Sequence, residues 1–287
     1  MKHIIVPIDF SSESLNGLRM AIVYANRFGS KIQLVYVQKY PSEFGRADFH
    51  EEQKKATANL TKMVEEYGPK LLEPSNLSFM IKKGKIFLEV VNQAQAFDDS
   101  MIICSTHGAS GFEEFFIGSN AFKIISATEL PVITIRHGAV ARDLQTIVMP
   151  IDFSADTRQK VPFTAEIAKA FNAEIHVVGV TSSKTEDIEA KINSYTNQVC
   201  EYLKEHEVKY RLSMLNGSNI TDVTIEYALD VNADLISIMT EQNDSFTSFV
   251  LGSYAQQMLN KSPIPVLSIT PKEIFIMGTF RTYGAPY

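Results

Sequence analysis

Residues 104–121 read CSTHGASGFEEFFIGSNA, with three glycines and four hydroxyl residues directly after an apolar run. Glycine lets the main chain come close to a ligand, and a glycine loop that leads into a helix start offers unpaired N–H groups to an anion. Phosphate is the anion this suits. A Walker loop would need a lysine after its last glycine to meet the terminal phosphates, and none stands here. The dinucleotide fingerprint Gly-x-Gly-x-x-Gly after the first strand is also missing. What is present is Gly108, nine intervening residues, then Gly118-Ser119. Main-chain amides and the Ser119 hydroxyl would hold a phosphate there without a fixed cation.

The rest of the chain must supply a scaffold for such a loop. At 287 residues it has room for two domains of ordinary size, and 45% hydrophobic residues with 21% charged ones belong to a globular protein with a substantial core. Lys plus Arg total 27 against 33 Asp plus Glu, a net charge of −6, with no stretch of clustered basic residues. Nucleic acid and anionic membrane surfaces are therefore not expected partners. The two cysteines, Cys104 and Cys200, read as neither a disulfide framework nor a metal knuckle. The opening MKHIIVPIDF is too short an apolar run for a signal peptide, and no segment reaches the roughly 18 to 20 apolar residues that span a bilayer. The expected compartment is the cytoplasm.

The chain repeats itself. IIVPIDFS at 4–11 returns as IVMPIDFS at 147–154, placing Pro7 and Pro150 143 residues apart, and Phe28, Ile32 and Val37 keep that spacing to Phe171, Ile175 and Val180. GSNAFKIISATELPVITI from Gly118 matches GSYAQQMLNKSPIPVLSI from Gly252 at a spacing of 134. The second copy is thus shorter by nine residues in its middle. In the first copy, strands are predicted at 4–7, 31–37, 77–81, 100–104 and 132–135. Ser11 or Ser12 caps a helix that Gly29 stops; further helices run through Ala56 to Tyr67, Ile86 to Phe97, and onward from Ser119. Alternation of this kind builds an α/β fold: two tandem domains, each a five-stranded parallel sheet with helices on both faces. Ligands of such sheets sit beyond the carboxyl ends of the strands, where the strand order switches. The expected divisions are 1–137, a linker at 138–145, 146–271, and a tail at 272–287 in which IFIM reads as an added edge strand or cover.

The VPIDFS opening of each copy, with the signature Gly, two residues, Gly, nine residues, Gly-Ser, resembles the universal stress protein family in its tandem form. The resemblance covers nearly the whole chain apart from the tail. It implies an adenine nucleotide α-hydrolase-like, Rossmann-like fold, and a site for ATP or a related adenine nucleotide, with Mg2+ or Mn2+ arriving on the nucleotide. Carried over, it implies that Asp9 meets the nucleoside end beside Pro7 and Ile8, and that Val37 packs on the adenine. Cys104 and Ser105 would line the ribose and phosphate side, and Gly108, Gly118, Ser119, Asn120 and Ala121 would surround the phosphates. The chain departs from the family where the first glycine is Ser105, and where Glu113 and Glu114 stand in place of basic residues. In the second copy Met239 and Gln242 replace both glycines of the pair, although Asp152 is kept. The first domain is therefore expected to bind nucleotide, and the second weakly or not at all. The family contact through the last strand implies an internal pseudo-dimer built from VITI and VLSI, and leaves a homodimer open.

The expected function is sensing or sequestering nucleotide, with at most weak ATP hydrolysis or autophosphorylation, because fast phosphoryl transfer needs positive charge on the migrating group and a positioned nucleophile. A nucleotide-free interaction module of the same fold is the alternative, favoured by Ser105 and the acidic pair. An adenylyl-transferring enzyme would need paired histidines after the first strand, where DFSSES stands instead. Asp9 reads equally as a cap of the first helix, Gly118-Ser119 as an ordinary helix start, and Cys104 as a buried apolar residue. His107 is read as a polar loop residue; the remaining histidines show no ligand spacing.

Overall fold

A computed structural model describes residues 1–38, 46–106, 117–136, 142–240 and 251–271, without the side chains of residues 46–48. Gly108, His107, the acidic pair Glu113 and Glu114, Gln242 and the tail 272–287 lie outside the described residues. The chain forms two compact units, residues 1–142 and 143–287.

In chain order the first unit comprises β1 (His3–Pro7), α1 (Ser12–Phe28), β2 (Lys31–Gln38), α2 (Arg46–Tyr67), β3 (Leu77–Lys83), α3 (Ile86–Gln95), β4 (Ser100–Ser105), α4 (Ser119–Ala127) and β5 (Val132–Ile135). Its strands lie in the order β3-β2-β1-β4-β5, every neighbouring pair parallel. Ile4 of β1 pairs with Ile32 on one side and Met101 on the other. Such central strands meet helices on both faces, which is why Ile4, Ile5, Val6 and residues 101–103 are apolar without alternation and wholly buried. α1 packs on β1, β2 and β4, whereas α3 and α4 pack against each other.

Local signals set the helix ends. The Ser11 hydroxyl caps α1 by accepting from Ser14 N at 3.1 Å, and the helix stops at Gly29, whose φ of 66° is the left-handed conformation that glycine adopts freely. α2 begins ten residues before Ala56, where the apolar spacing starts. Its first turns carry solvated charges such as the Lys55–Glu51 pair at 2.6 Å, and polar turns leave no apolar period to read.

The second unit comprises β6 (Thr146–Ile151), a 3-10 turn (Ala155–Arg158), α5 (Val161–Phe171), β7 (Glu174–Thr181), α6 (Glu186–Glu205), β8 (Tyr210–Asn216), α7 (Ile220–Asp230), β9 (Leu235–Met239), α8 (Ser253–Lys261) and β10 (Val266–Ile269). Within it the order is β10-β9-β6-β7-β8, again all parallel. The repeat would start α5 at residue 155, yet the helix begins at Val161. Pro162 stands at the place of Arg19; it lacks an N–H, and its ring collides with the carbonyl four residues back in a helix interior. Proline is accepted in a first turn, so α5 starts just before it and the preceding residues tighten into the 3-10 turn. At the far end, Asn172 with φ 56° takes the left-handed place of Gly29. Among the described residues no helix is long and apolar enough to cross a membrane.

Candidate functional site

In the first unit β1 lies between β2 and β4, so the connections leaving β1 and β4 diverge to opposite faces of the sheet and open a crevice at the carboxyl edge. Pro7 ends β1, and the Ile8 amide donates to Val35 O at 2.9 Å, holding the β1 tip beside β2. Asp9 beyond it is exposed, while Val37 near the end of β2 is 9% exposed. Cys104 and Ser105 end β4, where Ser105 pairs with Ile135. The strand register therefore brings Pro7, Ile8, Asp9, Val37, Cys104 and Ser105 to one edge. Burial pushes the Cys104 thiol up to about 12, so this residue offers main chain to the crevice and a neutral side chain to the core.

Asp9 does not cap α1 itself. Its carboxylate accepts from both Ser11 N, at 3.0 Å, and the Ser11 hydroxyl, and so fixes the residue that does cap. Phe10 between them has φ 67°, a strained conformation for a bulky side chain, and its ring lies 5.1 Å from that of Tyr36. The Tyr36 hydroxyl donates to Glu52 at 2.7 Å, and Gln38 Nε2 donates to the other oxygen of Glu52 at 3.0 Å. Burial, then the bond to Glu52, pushes the Tyr36 phenol up to about 12. None of these braces was singled out by spacing, because Phe10, Tyr36, Gln38 and Glu52 meet only across elements.

The residues expected to meet phosphate gather at the start of α4. Thr106 N donates to Ile135 O at 2.8 Å, and Gly118 N donates to Thr106 O at 2.6 Å, closing the base of the glycine loop. The Gly118 amide is thus spent within the protein. Gly118 itself has φ −61° and ψ 146°, an extended conformation open to any residue. It is the N-cap, no side chain caps the helix, and the first helical bond runs from Phe122 N to Gly118 O at 3.0 Å. That leaves the Ser119, Asn120 and Ala121 amides without a helical acceptor, and the helix dipole adds partial positive charge at the same point. Ser119 and Asn120 are exposed there. Gly17 of α1 also belongs to this edge: a Cβ on it would lie 3.6 Å from Ile103 O and 3.7 Å from Ser105 N.

The second unit repeats the frame with different contents. Asp152 accepts from Ser154 N at 2.8 Å and from its hydroxyl at 2.6 Å, and Gly252 is the uncapped N-cap of α8. Thr240 N donates to Ile269 O at 2.8 Å as Thr106 does to Ile135. Met239 ends β9 in the place of Ser105. At the place of Gly17 stands Lys160, 1% exposed, whose Nζ donates to Thr157 O and to Thr157 Oγ1. At the place of Asn120 stands Tyr254, whose hydroxyl is buried beside the Thr224 side chain. A shallow depression of about 440 Å³, lined by Asp143, Gln145, Glu174 and Lys209, lies at the opposite, amino edge of this unit's strands and takes no part in the crevice. Among the described residues no group of three or more His, Cys, Asp or Glu could hold a metal ion.

Comparison with known proteins agrees with this architecture. The family described as universal stress proteins matches residues 1–136 and again 144–269. A universal stress protein of Methanocaldococcus jannaschii is 26% identical over 145 residues, 47% of this chain and 82% of that protein. Among solved structures, a universal stress protein from Archaeoglobus fulgidus aligns with a TM-score of 0.75 at 16% identity, covering 93% of this chain and 98% of that one. A functionally unknown protein from Pseudomonas aeruginosa aligns with a TM-score of 0.65 at 17% identity, covering 94% and 93%. With its family pattern matched twice along its length, the chain belongs to the universal stress protein family in tandem, two-domain form.

Proposed function

We propose that the first unit binds ATP or a related adenine nucleotide and holds it rather than turning it over quickly. The observation that carries this reading is the uncapped start of α4, where the Ser119, Asn120 and Ala121 amides open onto the same edge as Asp9 and Val37. Three oriented N–H groups at a helix N-terminus suit a phosphate, and Asp9 and Val37 stand where a nucleoside would meet a carboxylate and an apolar wall. Pro7, Ile8, Ser105 and the main chain of Cys104 complete the floor. Gly108 would contribute through the loop. Magnesium or manganese would arrive on the phosphates, since the described residues offer no metal cluster of their own. The reading assigns neither a nucleophile nor a cation to the migrating phosphoryl group, which supports sensing or sequestering over rapid hydrolysis. A reducing, cytoplasmic setting suits the two free cysteines, Cys104 and Cys200, both buried.

The second reading, a nucleotide-free interaction module, is favoured by one observation: the Gly118 amide is already committed to Thr106 O. Thermal melting with and without Mg-ATP separates the two. Ligand at a hundred times its dissociation constant adds about 2.7 kcal/mol, which raises the midpoint of a domain this size by about 5 to 10 °C. An unmoved midpoint at millimolar Mg-ATP leaves the interaction module standing.

A further inference from the structure

We infer that Lys160 and Tyr254 close the strand-end crevice of the second unit from within, so that one chain takes one nucleotide; this rests on the nucleotide reading of the first unit. Both residues stand where the first unit has smaller ones, since the repeat aligns Lys160 with Gly17, buried against the end of β4, and Tyr254 with Asn120, which is exposed. A side chain at Gly17 would start 3.6 Å from Ile103 O and 3.7 Å from Ser105 N, at the tip of β4, and the second unit carries a full lysine at the corresponding place.

Lys160 is anchored at this edge. Its ammonium donates to Thr157 O and Thr157 Oγ1, and the same Thr157 hydroxyl accepts from Asp152 N at 3.2 Å. The chain Lys160–Thr157–Asp152 thus ties a cation to the turn that carries the retained aspartate. Burial, opposed by the Asp152 charge, holds the Lys160 amine down at about 8. Tyr254 comes to the same edge from α8, and burial together with the Asp152 charge raises its phenol, opposed by the neighbouring Thr224 hydroxyl. Lys160 is thus tied to Asp152 through Thr157, and Tyr254 stands in the first turn of α8 at the same strand-end edge.

The burial of the matching positions follows. Pro7 is half-buried and Pro150 buried; Ile8 is 4% exposed and Ile151 0%; Val37 is 9% exposed and Val180 1%. Gly118 is half-buried and Gly252 buried, while Asn120 is exposed and Tyr254 half-buried. At each of these five pairs the second unit is the more covered.

Calorimetric titration with Mg-ATP tests the assignment on the full chain. Wild type is expected to bind one equivalent. In a Met239→Ser, Gln242→Gly background, which is itself expected to bind one, the double variant Lys160→Gly with Tyr254→Asn is expected to bind two. The reverse graft Asn120→Tyr, at an exposed position that tolerates a ring without disturbing the fold, is expected to weaken the one wild-type site at least tenfold. A folded double variant that still binds one, an Asn120→Tyr protein that binds as wild type, or a wild type that binds two each overturns the assignment and leaves the nucleotide reading intact. Should the double variant fail to fold, Asn120→Tyr and the wild-type stoichiometry decide by themselves. No binding by wild type overturns both.

Discussion

The two units share a sheet order, a PIDFS turn and an uncapped helix start, yet they spend their polar groups differently. In the first, Leu15 and Gly17 occupy an α1 that runs unbroken from Ser12; in the second, Arg158 and Lys160 take those places in a turn broken up ahead of Pro162. Both of these cations are buried, and the Arg158 guanidinium lies 3.9 Å from the Tyr195 ring centre. The strand-to-helix clasp differs in the same way. Gln93 Nε2 donates to Gln33 Oε1 at 2.7 Å in the first unit, and at the same repeat positions His176 Nδ1 and the Tyr227 hydroxyl are joined at 2.9 Å in the second. Glu174 and Ser213 extend that second clasp into a chain, with contacts of 3.1 Å to His176 and 2.9 Å to Tyr227. A duplicated fold thus keeps the places where polar groups meet and changes the chemistry that fills them. Both units leave a helix start without a side-chain cap, at Gly118 and at Gly252, but the second alone buries a lysine and an arginine in the turn after its first strand.

The sharpest break in this comparison is Lys160. Its folded amine titrates at about 8 against an ordinary 10.5, so between those values the unfolded chain holds a proton that the folded chain does not. Stability of the second unit should therefore rise by on the order of 3 kcal/mol as the pH climbs from 8 to 10.5, and stay flat in this respect below 8, where both states are protonated. Lys160→Met should remove the rise. Denaturant-dependent amide exchange at β6 and β9, read across that pH range and compared with β1 and β4, measures it. A wild-type second unit with no excess rise over the first would place the amine in water.

A smaller effect is expected from Asn120→Asp, which sets a carboxylate among the open amides of α4. At an effective dielectric near 20 a like charge about 8 Å away costs about 2 kcal/mol, so Mg-ATP affinity should fall by roughly tenfold to a hundredfold. The helix itself should gain slightly from an acidic residue in its first turn. Ser253→Asp at the start of α8 should leave nucleotide affinity unchanged. Equal losses from the two variants, read by the same titration, would mean that both helix starts are used.

The smallest expected difference lies in the caps. Ser11→Ala removes the bond to Ser14 N and should cost the first unit about 1 kcal/mol in urea unfolding. Ser154 caps its 3-10 turn with no side-chain bond, so Ser154→Ala should cost the second unit less. Matching costs would point to a common role in holding the aspartate rather than the helix.

Much of the fold was legible in the sequence because its determinants are local. Unbroken apolar runs at residues 4–6 and 101–103, helical spacing through Leu18 and Ile22, and a glycine that permits the left-handed stop at 29 each act within a few residues. The repeat extends these elements to the second half, apart from the start of α5, which Pro162 delays to Val161. The start of α2 was lost because its polar first turns carry no apolar period. The candidate edge was also legible, since strand order fixes where Asp9, Val37 and Ser105 must meet. Which groups stay open there was a tertiary decision. The Gly118 amide is taken by Thr106 O only because β4 and α4 return to one point, and Lys160 is buried only because the turn before Pro162 folds it against Thr157. Periodicity reports which face of an element seeks the core, whereas the fate of a single hydrogen-bonding group depends on neighbours far along the chain, which are set only when the sheet and its helices close around it.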